Sequence, residues 1–241
     1  GYTNAMIGKW HLGEQDGPRY QPKNQGFDES VLSQYHGYFE YFYPFVDREK
    51  WPYAGPLPGK PGDYLPDNLT DQAIEFIREQ RETPFFLYLS HWSVHLPHHS
   101  NKIMQARDDY IKRHQQRDFA DKKDDNPLFA AAIQSVDDSV GRIVKTLEDL
   151  NLANDTIVIF FSDNGGVKTG PSKKALARSK YDYPTDNPKT TSNHPLRGEK
   201  TMLYEGGIRV PLIVKWPGQV AQGSECDEPV ISTDLYPTCW N

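Results

Sequence analysis

The sequence is poor in several features, and each shortage narrows the kind of protein it can encode. Only two cysteines, Cys226 and Cys239, occur among 241 residues, too few for a disulfide framework or a cysteine zinc site. No apolar run approaches the roughly 20 residues that a membrane-crossing helix needs. Acidic residues outnumber basic ones, 33 to 27, so the formal net charge is −6. This balance argues against a protein that binds nucleic acid through bulk charge.

The patterns that are present predict an α/β domain. Apolar residues at three- and four-residue spacing predict helices over 67–80 and 127–150. Short apolar runs bounded by proline or glycine predict strands over 84–90 and 210–216. A further strand is predicted at the start of 157–166. This succession of strands and helices favours a mostly parallel sheet.

Four finer expectations concern individual segments. Asp67 or Thr70 is expected to cap the first helix. Residues 14–66 are expected to form a long functional loop without regular structure, and the highly charged residues 102–125 a solvated helix plus loop. The buried stripe of the 127–150 helix is expected to consist of Phe129, Ile133, Val136, Val140, Ile143, Val144 and Leu147.

The segment Ile157–Gly166, IVIFFSDNGG, is the most informative one. Its continuous apolar run is typical of a strand buried on both faces. Asp163 and Asn164 follow at the carboxyl end, where open α/β sheets bind ligands. Both side chains offer hard oxygen atoms, which suit Ca²⁺ or Mg²⁺. An ordinary strand ending in a turn is about equally compatible with this segment alone.

Two more segments, taken together with SDNGG, resemble the sulfatase family. They are GYTNAMIGKWHLG at residues 1–13 and LRGEKTMLYEGGIRVP at residues 196–211. The resemblance extends over nearly the whole chain. It implies an alkaline-phosphatase-like sandwich, with a mostly parallel central sheet flanked by helices. It also implies a sulfuric ester hydrolase that acts on a sulfated carbohydrate or an aryl sulfate, in a secreted, periplasmic or lysosomal location.

The chain departs from the family pattern at the nucleophile. In sulfatases this is a formylglycine made from cysteine in Cys-x-Pro-Ser-Arg, upstream of the Gly-Lys-x-His signature, and neither Cys226 nor Cys239 fits that motif. The resemblance therefore implies that formylglycine lies upstream of residue 1. Residues 1–241 are expected to be a partial catalytic domain, without its N-terminal strands and C-terminal subdomain, and inactive alone.

Lys9 and His11 are candidates for binding one anionic group. In an extended chain, side chains two residues apart point the same way. Without the family pattern, a surface lysine and a structural histidine beside a core tryptophan would be the simpler interpretation. The resemblance implies that Lys9 contacts the sulfate, and that His11 hydrogen-bonds the formylglycine diol.

A histidine cluster follows the strand predicted over 84–90. No cysteine or glutamate joins it at the spacing of a zinc site. The resemblance favours His95, just before Leu96-Pro97, as the histidine that acts in the site. His91 is expected to be structural, and His98 is a plausible contact on the substrate side.

The resemblance also assigns residues in the second half of the chain. Asp163 and Asn164 match a pair of calcium ligands, with Mg²⁺ the less favoured ion. Lys200 matches a lysine on the sulfate and leaving-group side, although Glu199 beside it could weaken the local positive potential. Asn193 and Arg197 are possible substrate contacts, with a loop asparagine and a surface arginine nearly as plausible.

Two wider alternatives remain open. The basic loop over 168–180 is either a solvated loop or a subsite for neighbouring sulfates. The protein as a whole could instead be a phosphoesterase or phosphonate hydrolase of the same superfamily, which the segments GKWHLG and YEGGIRVP disfavour. It could also be a sulfatase-like carbohydrate-binding protein that lacks the nucleophile.

Overall fold

The computed structural model describes residues 1–12, 18–34, 39–46, 57–97, 103–116, 126–168, 170 and 190–240. In chain order its elements are β1 (Thr3–Lys9), β2 (Glu29–Gln34), α1 (Leu65–Glu79), β3 (Phe85–Ser90), α2 (Asp108–Gln115), α3 (Pro127–Asp149), β4 (Val158–Phe161), α4 (Glu205–Ile208), β5 (Leu212–Lys215) and α5 (Leu235–Trp240). Short 3₁₀ helices lie at Pro18–Tyr20, Pro22–Gln25 and Ser232–Asp234. None of the helices in these ranges is long and apolar enough to span a membrane.

A three-stranded parallel sheet forms the first layer, in the order β2-β1-β3. Ala5 of β1 is paired with Leu87 of β3, and Ile7 with Leu89. These four side chains belong to the main apolar core or pack against it. Because all three strands are parallel, their carboxyl ends lie at one edge. The predicted parallel α/β architecture is confirmed for this layer.

Helices α1 and α3 pack closely because small residues line their contact. Ala73 of α1 and Ala131 and Ala132 of α3 are fully buried. The Thr70 hydroxyl donates to Pro66 O and shares a second hydrogen bond with the Ser139 hydroxyl, both at 2.6 Å. Thr70 therefore joins the two helices and is not a cap.

The predicted stripe of α3 is displaced from the face that is buried. Ile133 is 48% exposed, whereas small side chains occupy much of the contact with α1. The fully buried set on this helix is Leu128, Ala131, Ala132, Ser135, Ser139, Thr146 and Leu147. The large residues of the expected stripe are half-buried apart from Leu147 and Ile133, because close helix packing selects small side chains over large apolar ones.

Three other expectations need correction. α1 begins at Leu65, so its N-cap is Tyr64, which makes no side-chain capping bond. The segment 14–66 contains a strand, β2, although it has few apolar residues. α2 has a buried face formed by Tyr110, Ile111 and His114, because it packs on the long helix α3 and is not surrounded by solvent.

The strand ahead of SDNGG differs from its prediction in environment and partner. β4 pairs with β5 in an antiparallel ribbon, with Phe160 opposite Ile213. All four β4 residues are half-buried. Within the described residues this ribbon has no ladder to the β2-β1-β3 sheet, and its half-burial shows that β4 is not fully covered on both faces.

Candidate functional site

The carboxyl ends of β1 and β4 bring three of the predicted site residues near one another. Lys9 is the last residue of β1, and Asp163 stands two residues beyond β4. The pKa of Lys9 is lowered, chiefly by burial of its ammonium group and less by the positive charge of Lys200, while the Asp163 carboxylate opposes this shift. Lys9 therefore lies within electrostatic reach of both Asp163 and Lys200.

The Lys9 side chain lies against a buried aromatic ring. Its Nζ is 5.9 Å from the centroid of the Trp92 ring, within the range of a cation–π contact. Trp10, the next residue, is buried and donates from Nε1 to Tyr20 O at 2.8 Å. The inward Trp10 thus anchors this segment beyond β1, while His11 is exposed.

His95 closes a turn that follows β3. Its backbone N–H donates to Trp92 O at 2.8 Å. Its ring Nδ1 is 2.8 Å from Leu96 O, and because a carbonyl can only accept, Nδ1 carries the hydrogen. In the neutral ring, the lone pair is then on Nε2. Phe39 contacts both rings of this turn, at 4.5 Å from Trp92 and 6.2 Å from His95 between centroids.

His91 has the surroundings of a structural histidine. Its Nε2 lies 2.9 Å from Ser139 Oγ, in the polar contact between α1 and α3. Burial lowers its pKa from 6.5 to about 4, so the ring is neutral near pH 7. Its Nδ1 is buried and has no hydrogen-bond partner. The interpretation of His91 as structural agrees with these contacts.

The SDNGG turn is held by backbone contacts with the glycines of α4. Gly165 N donates to Gly207 O at 2.9 Å. A Cβ on Gly165 would lie 1.9 Å from Gly206 O, so only glycine allows this approach. Asn164 Nδ2 donates to Gly165 O at 2.9 Å. This bond fixes the orientation of the Asn164 amide group, whose other polar atom is Oδ1.

Lys200 is attached to the same turn through its backbone. Its N–H donates to Gly166 O at 3.2 Å. Thr201, the next residue, has a φ of 77°, which is unfavourable for a β-branched residue. Glu199 Oε2 accepts from Lys168 N at 2.6 Å. The Glu199 carboxylate thus binds the beginning of the basic loop.

The side chains of Asn193 and Arg197 are engaged within the protein. Asn193 Oδ1 accepts from Gly166 N at 3.1 Å, and its Nδ2 donates to Gly166 O at 2.8 Å and to Gly198 O at 3.3 Å. Arg197 Nη2 donates to Tyr204 Oη at 2.9 Å, with the guanidinium 3.9 Å from the ring centroid. Their roles as substrate contacts stay predictions.

Some predicted residues lie outside the described ranges. They are His98 and, from the basic loop, Lys173, Lys174, Arg178 and Lys180. Lys168, where that loop begins, is described, and its carbonyl oxygen accepts from Thr190 N at 3.4 Å. Asn126 Nδ2, at the start of α3, donates to Thr190 O at 3.0 Å.

Sequence analysis missed the residues that support the site from below. Phe39, Tyr41 and Trp92 are buried together, and two of them come from the segment that the sequence presented as an irregular loop. The signal that could have found them is the density of aromatic residues over 35–53, since such residues need a core to bury them.

Asp163 and Asn164 match a hard cation in the chemistry of their donors. Carboxylate and amide oxygens are the ligands that Ca²⁺ prefers, but six to eight of them are required. Across the described ranges, no three His, Cys, Asp or Glu side chains form a group that could hold a metal ion. The two residues fit one part of a calcium site.

Taken together, one region of the fold holds two lysines, a carboxylate and a carboxamide: Lys9 ends β1, Asp163 and Asn164 follow β4, and Lys200 precedes α4. Fixed positive charges beside a carboxylate and a carboxamide have the chemistry that suits an anionic group and a hard cation. The chain belongs to the sulfatase family, whose model matches residues 1–240.

Two curated relatives show the same relationship. Human steryl-sulfatase is 33% identical to this chain, over 86% of the chain and 31% of that protein. The N-acetylgalactosamine-6-sulfatase of Rattus norvegicus is 30% identical, over 99% of the chain and 42% of that protein. The chain therefore spans less than half the length of these relatives.

Solved structures agree on the fold. Ps i-CgsB in complex with k-i-k-neocarrahexaose is 30% identical, with a TM-score of 0.70 over 98% of this chain and 49% of that one. The sulfatase yidJ from Bacteroides fragilis, at 23% identity and a TM-score of 0.65, covers 99% of the chain and 52% of that chain. The alkaline-phosphatase-like fold is thereby confirmed.

Proposed function

We propose that the natural protein hydrolyses sulfuric esters, and that this chain supplies the groups that bind the sulfate and the leaving group. The observation that carries the proposal is the electrostatic proximity of Lys9, Asp163 and Lys200, which come from three separate family motifs. Hydrolysis itself requires the nucleophile, whose motif we expect outside these 241 residues.

Charge is the first requirement of the reaction. A sulfate ester spreads negative charge over several oxygens, and this charge is stabilised best by fixed cations in a site with little water. Lys9 ends β1 and Lys200 lies in the turn ahead of α4, so the two lysines come from separate segments and can contact different oxygens of one group. Burial of Lys9 strengthens its interaction with an anion, because less water screens the charge.

Proton transfer is the second requirement. An alcohol leaving group needs a proton, and a histidine can supply it near neutral pH. His95 is held with Nδ1 toward Leu96 O, so Nε2 is the atom that would carry and deliver the proton. His11, exposed just beyond Lys9, would contact the nucleophile, as the family resemblance implies.

Calcium is the cofactor that the donor set favours, with Mg²⁺ second. Asp163 and Asn164 would provide two oxygen ligands, and other ligands would have to complete the shell. When bound, the ion would supply positive charge that polarises the sulfate oxygens. The bond from Asn164 Nδ2 to Gly165 O supports this role, because it leaves Oδ1 as the atom that would bind the ion.

A sulfated carbohydrate is the substrate class that we favour over an aryl sulfate. Similarity to N-acetylgalactosamine-6-sulfatase and to a protein crystallised with neocarrahexaose supports it. By the same family resemblance, we propose a secreted, periplasmic or lysosomal location.

The test compares sulfate and phosphate esters as substrates of the full-length natural protein. We expect release of sulfate from a sulfated oligosaccharide, and a loss of at least about a hundredfold in kcat/KM for Lys9→Ala or Lys200→Ala. Lys145→Ala, which removes an exposed lysine paired with Asp149 on α3, is the matched control and should retain activity.

Three outcomes would contradict the proposal. Faster hydrolysis of the phosphate ester would favour a phosphoesterase. Binding of the oligosaccharide without turnover would favour a carbohydrate-binding protein. Turnover by the 241-residue chain alone would mean that the nucleophile has been misplaced.

A further inference from the structure

Tyr41 is buried beneath the turn that carries His95. The residue is fully inaccessible to solvent. Its hydroxyl donates to His95 O at 2.8 Å and lies 3.3 Å from Trp92 O. The same two residues are the ends of the turn, because His95 N donates to Trp92 O. One hydroxyl therefore bonds to the carbonyl groups at both ends of one turn.

The turn held by Tyr41 supports two parts of the proposed site. His95 is the proposed proton donor, and the Trp92 ring lies beneath the Lys9 ammonium at 5.9 Å. A shift of this turn would move the imidazole and the surface on which Lys9 rests together.

Tyr41 is itself held in place from two directions. Its backbone N–H donates to Gln105 Oε1 at 3.0 Å, and Gln105 Nε2 donates to Glu40 Oε2 at 2.8 Å. Phe39 packs edge to face on the Tyr41 ring at 5.1 Å. Burial raises the pKa of Tyr41 well above its usual value of 10.0, so the hydroxyl keeps its hydrogen at any pH of interest.

We propose that Tyr41 is a positioning residue, which sets His95 and the Trp92 support of Lys9 through its hydrogen bonds to the turn 92–95. The consequence for catalysis rests on the proposed sulfatase function, whereas the consequence for the turn does not. The proposal assigns a role to the aromatic segment around residue 41, which the sequence presented as an irregular loop.

Tyr64 provides the matched comparison. It is also buried, and its ring stacks on that of Tyr41 at 5.9 Å. Its hydroxyl, however, accepts from Ser135 Oγ at 3.2 Å on α3 and lies 3.5 Å from Gln105 O. Tyr64 thus resembles Tyr41 in burial and polarity, but its hydroxyl bonds to other parts of the fold.

The experiment uses Tyr41→Phe and Tyr64→Phe in the full-length natural protein. Each substitution removes one buried hydroxyl and leaves the ring in place. Amide hydrogen exchange over 92–97, the melting temperature, and kcat and KM on a sulfated oligosaccharide are measured for both. We expect similar melting temperatures in the two variants, because the lost hydroxyls are comparable.

The expected difference is confined to the turn and to turnover. In Tyr41→Phe, exchange over 92–97 should rise about tenfold or more, and kcat should fall by a similar factor with KM within about twofold. Tyr64→Phe should leave both close to wild type. Equal exchange and equal kcat in the two variants would overturn the proposal and make Tyr41 an ordinary core residue.

Two further outcomes separate the positioning role of Tyr41 from the proposed function and from a loss of folding. If the wild-type protein hydrolyses no sulfate ester, the proposed function fails, but faster exchange in Tyr41→Phe alone would still support the positioning role. If Tyr41→Phe does not fold, Gln105→Met tests the same support indirectly, since it removes the side-chain bonds to the Tyr41 amide and to Glu40 but leaves the Tyr41 hydroxyl in place. Unchanged exchange over 92–97 in a folded Gln105→Met would then count against the proposal.

Discussion

The β1–β3 side and the β4–β5 side of the proposed site are held by different kinds of contact. On the β1–β3 side, Lys9 and His95 rest on Phe39, Tyr41 and Trp92, all of them buried. On the β4–β5 side, Asp163 and Lys200 are held by backbone hydrogen bonds among glycines. Substitutions on the β1–β3 side should therefore disturb the geometry of the site by degrees. On the β4–β5 side, a single substitution should disrupt it.

The two sides differ because buried side chains can adjust to a substitution, whereas backbone atoms in contact cannot. A buried side chain can change rotamer or size with a partial loss of packing, because its neighbours relax. Backbone atoms in direct contact have no such freedom. Gly206 has a carbonyl oxygen of Gly198 only 2.4 Å from where its Cβ would be, and Gly207 has one of Met202 at 2.2 Å. This part of the site depends on the absence of side chains.

The largest effect is expected for Gly165→Ala. Its Cβ would be 1.9 Å from Gly206 O and 3.0 Å from Gly207 Cα, so the SDNGG turn would have to separate from α4. We expect a loss of more than about 3 kcal/mol in the free energy of unfolding, measured by urea titration.

Gly141→Ala is the control for that substitution. Gly141 lies within α3, and a Cβ there would meet nothing within 4 Å. Alanine is the better helix former, so we expect a gain of about 0.5–1 kcal/mol. If Gly165→Ala and Gly141→Ala lost comparable stability, the close backbone contact between the SDNGG turn and α4 would not explain why the β4–β5 side tolerates substitution less than the β1–β3 side.

The second effect is acid destabilisation through His91. Its pKa is about 4 in the fold against 6.5 for the exposed side chain, so the unfolded chain binds the extra proton first as the pH falls. Stability present above pH 6.5 should be lost between about pH 6.5 and 4, by roughly 3 kcal/mol. Denaturant titrations at several pH values measure this slope.

His91→Gln is the variant that isolates this contribution. Glutamine can still bond to Ser139 Oγ but does not titrate. We expect a lower stability at pH 7 together with a smaller decline between pH 6.5 and 4. A decline as steep as that of the wild type would assign the acid sensitivity to other groups.

The third effect concerns the cation on the β4–β5 side. Calcium should raise the melting temperature of the full-length natural protein, because a ligand that binds only the folded state stabilises it. Asp163→Ala should abolish this increase. Asp155→Ala, at an exposed turn before β4, is the control and should keep it. If calcium raised the melting temperature of all three proteins equally, Asp163 would not be a ligand of the metal.

The same two sides differ in how far the sequence predicts them. The positions of β4 and of the SDNGG turn were predictable, because an apolar run marks a strand and glycine, aspartate and asparagine mark a turn by their own backbone preferences; the antiparallel partner of β4 was not. The support beneath His95 was not, because Tyr41 meets Trp92 only through tertiary packing between segments 51 residues apart. The displaced stripe of α3 has the same origin, since close packing against α1 selects alanine and serine over large apolar residues.

The smallest effect is the electrostatic interaction of Lys9, on the β1–β3 side, with Lys200, on the β4–β5 side. Its pKa lies below 10.5 mainly because of burial, and the charge of Lys200 contributes the least of the named causes. Lys200→Met should therefore raise the pKa of Lys9 slightly and leave it below 10.5, whereas Lys200→Arg should not change it. Titration of ¹³C-labelled lysine by NMR distinguishes the two variants.

Linkage gives this last prediction a second observable. Because the folded protein releases the Lys9 proton at a lower pH than the unfolded chain, stability should rise with pH between the folded pKa of Lys9 and 10.5. Lys200→Met should raise the folded-state pKa of Lys9 and so raise the lower limit of this pH range, whereas Lys200→Arg should leave the range unchanged. If both variants leave the titration of Lys9 unchanged, the lysines do not share one electrostatic environment, and the two sides of the proposed site are independent.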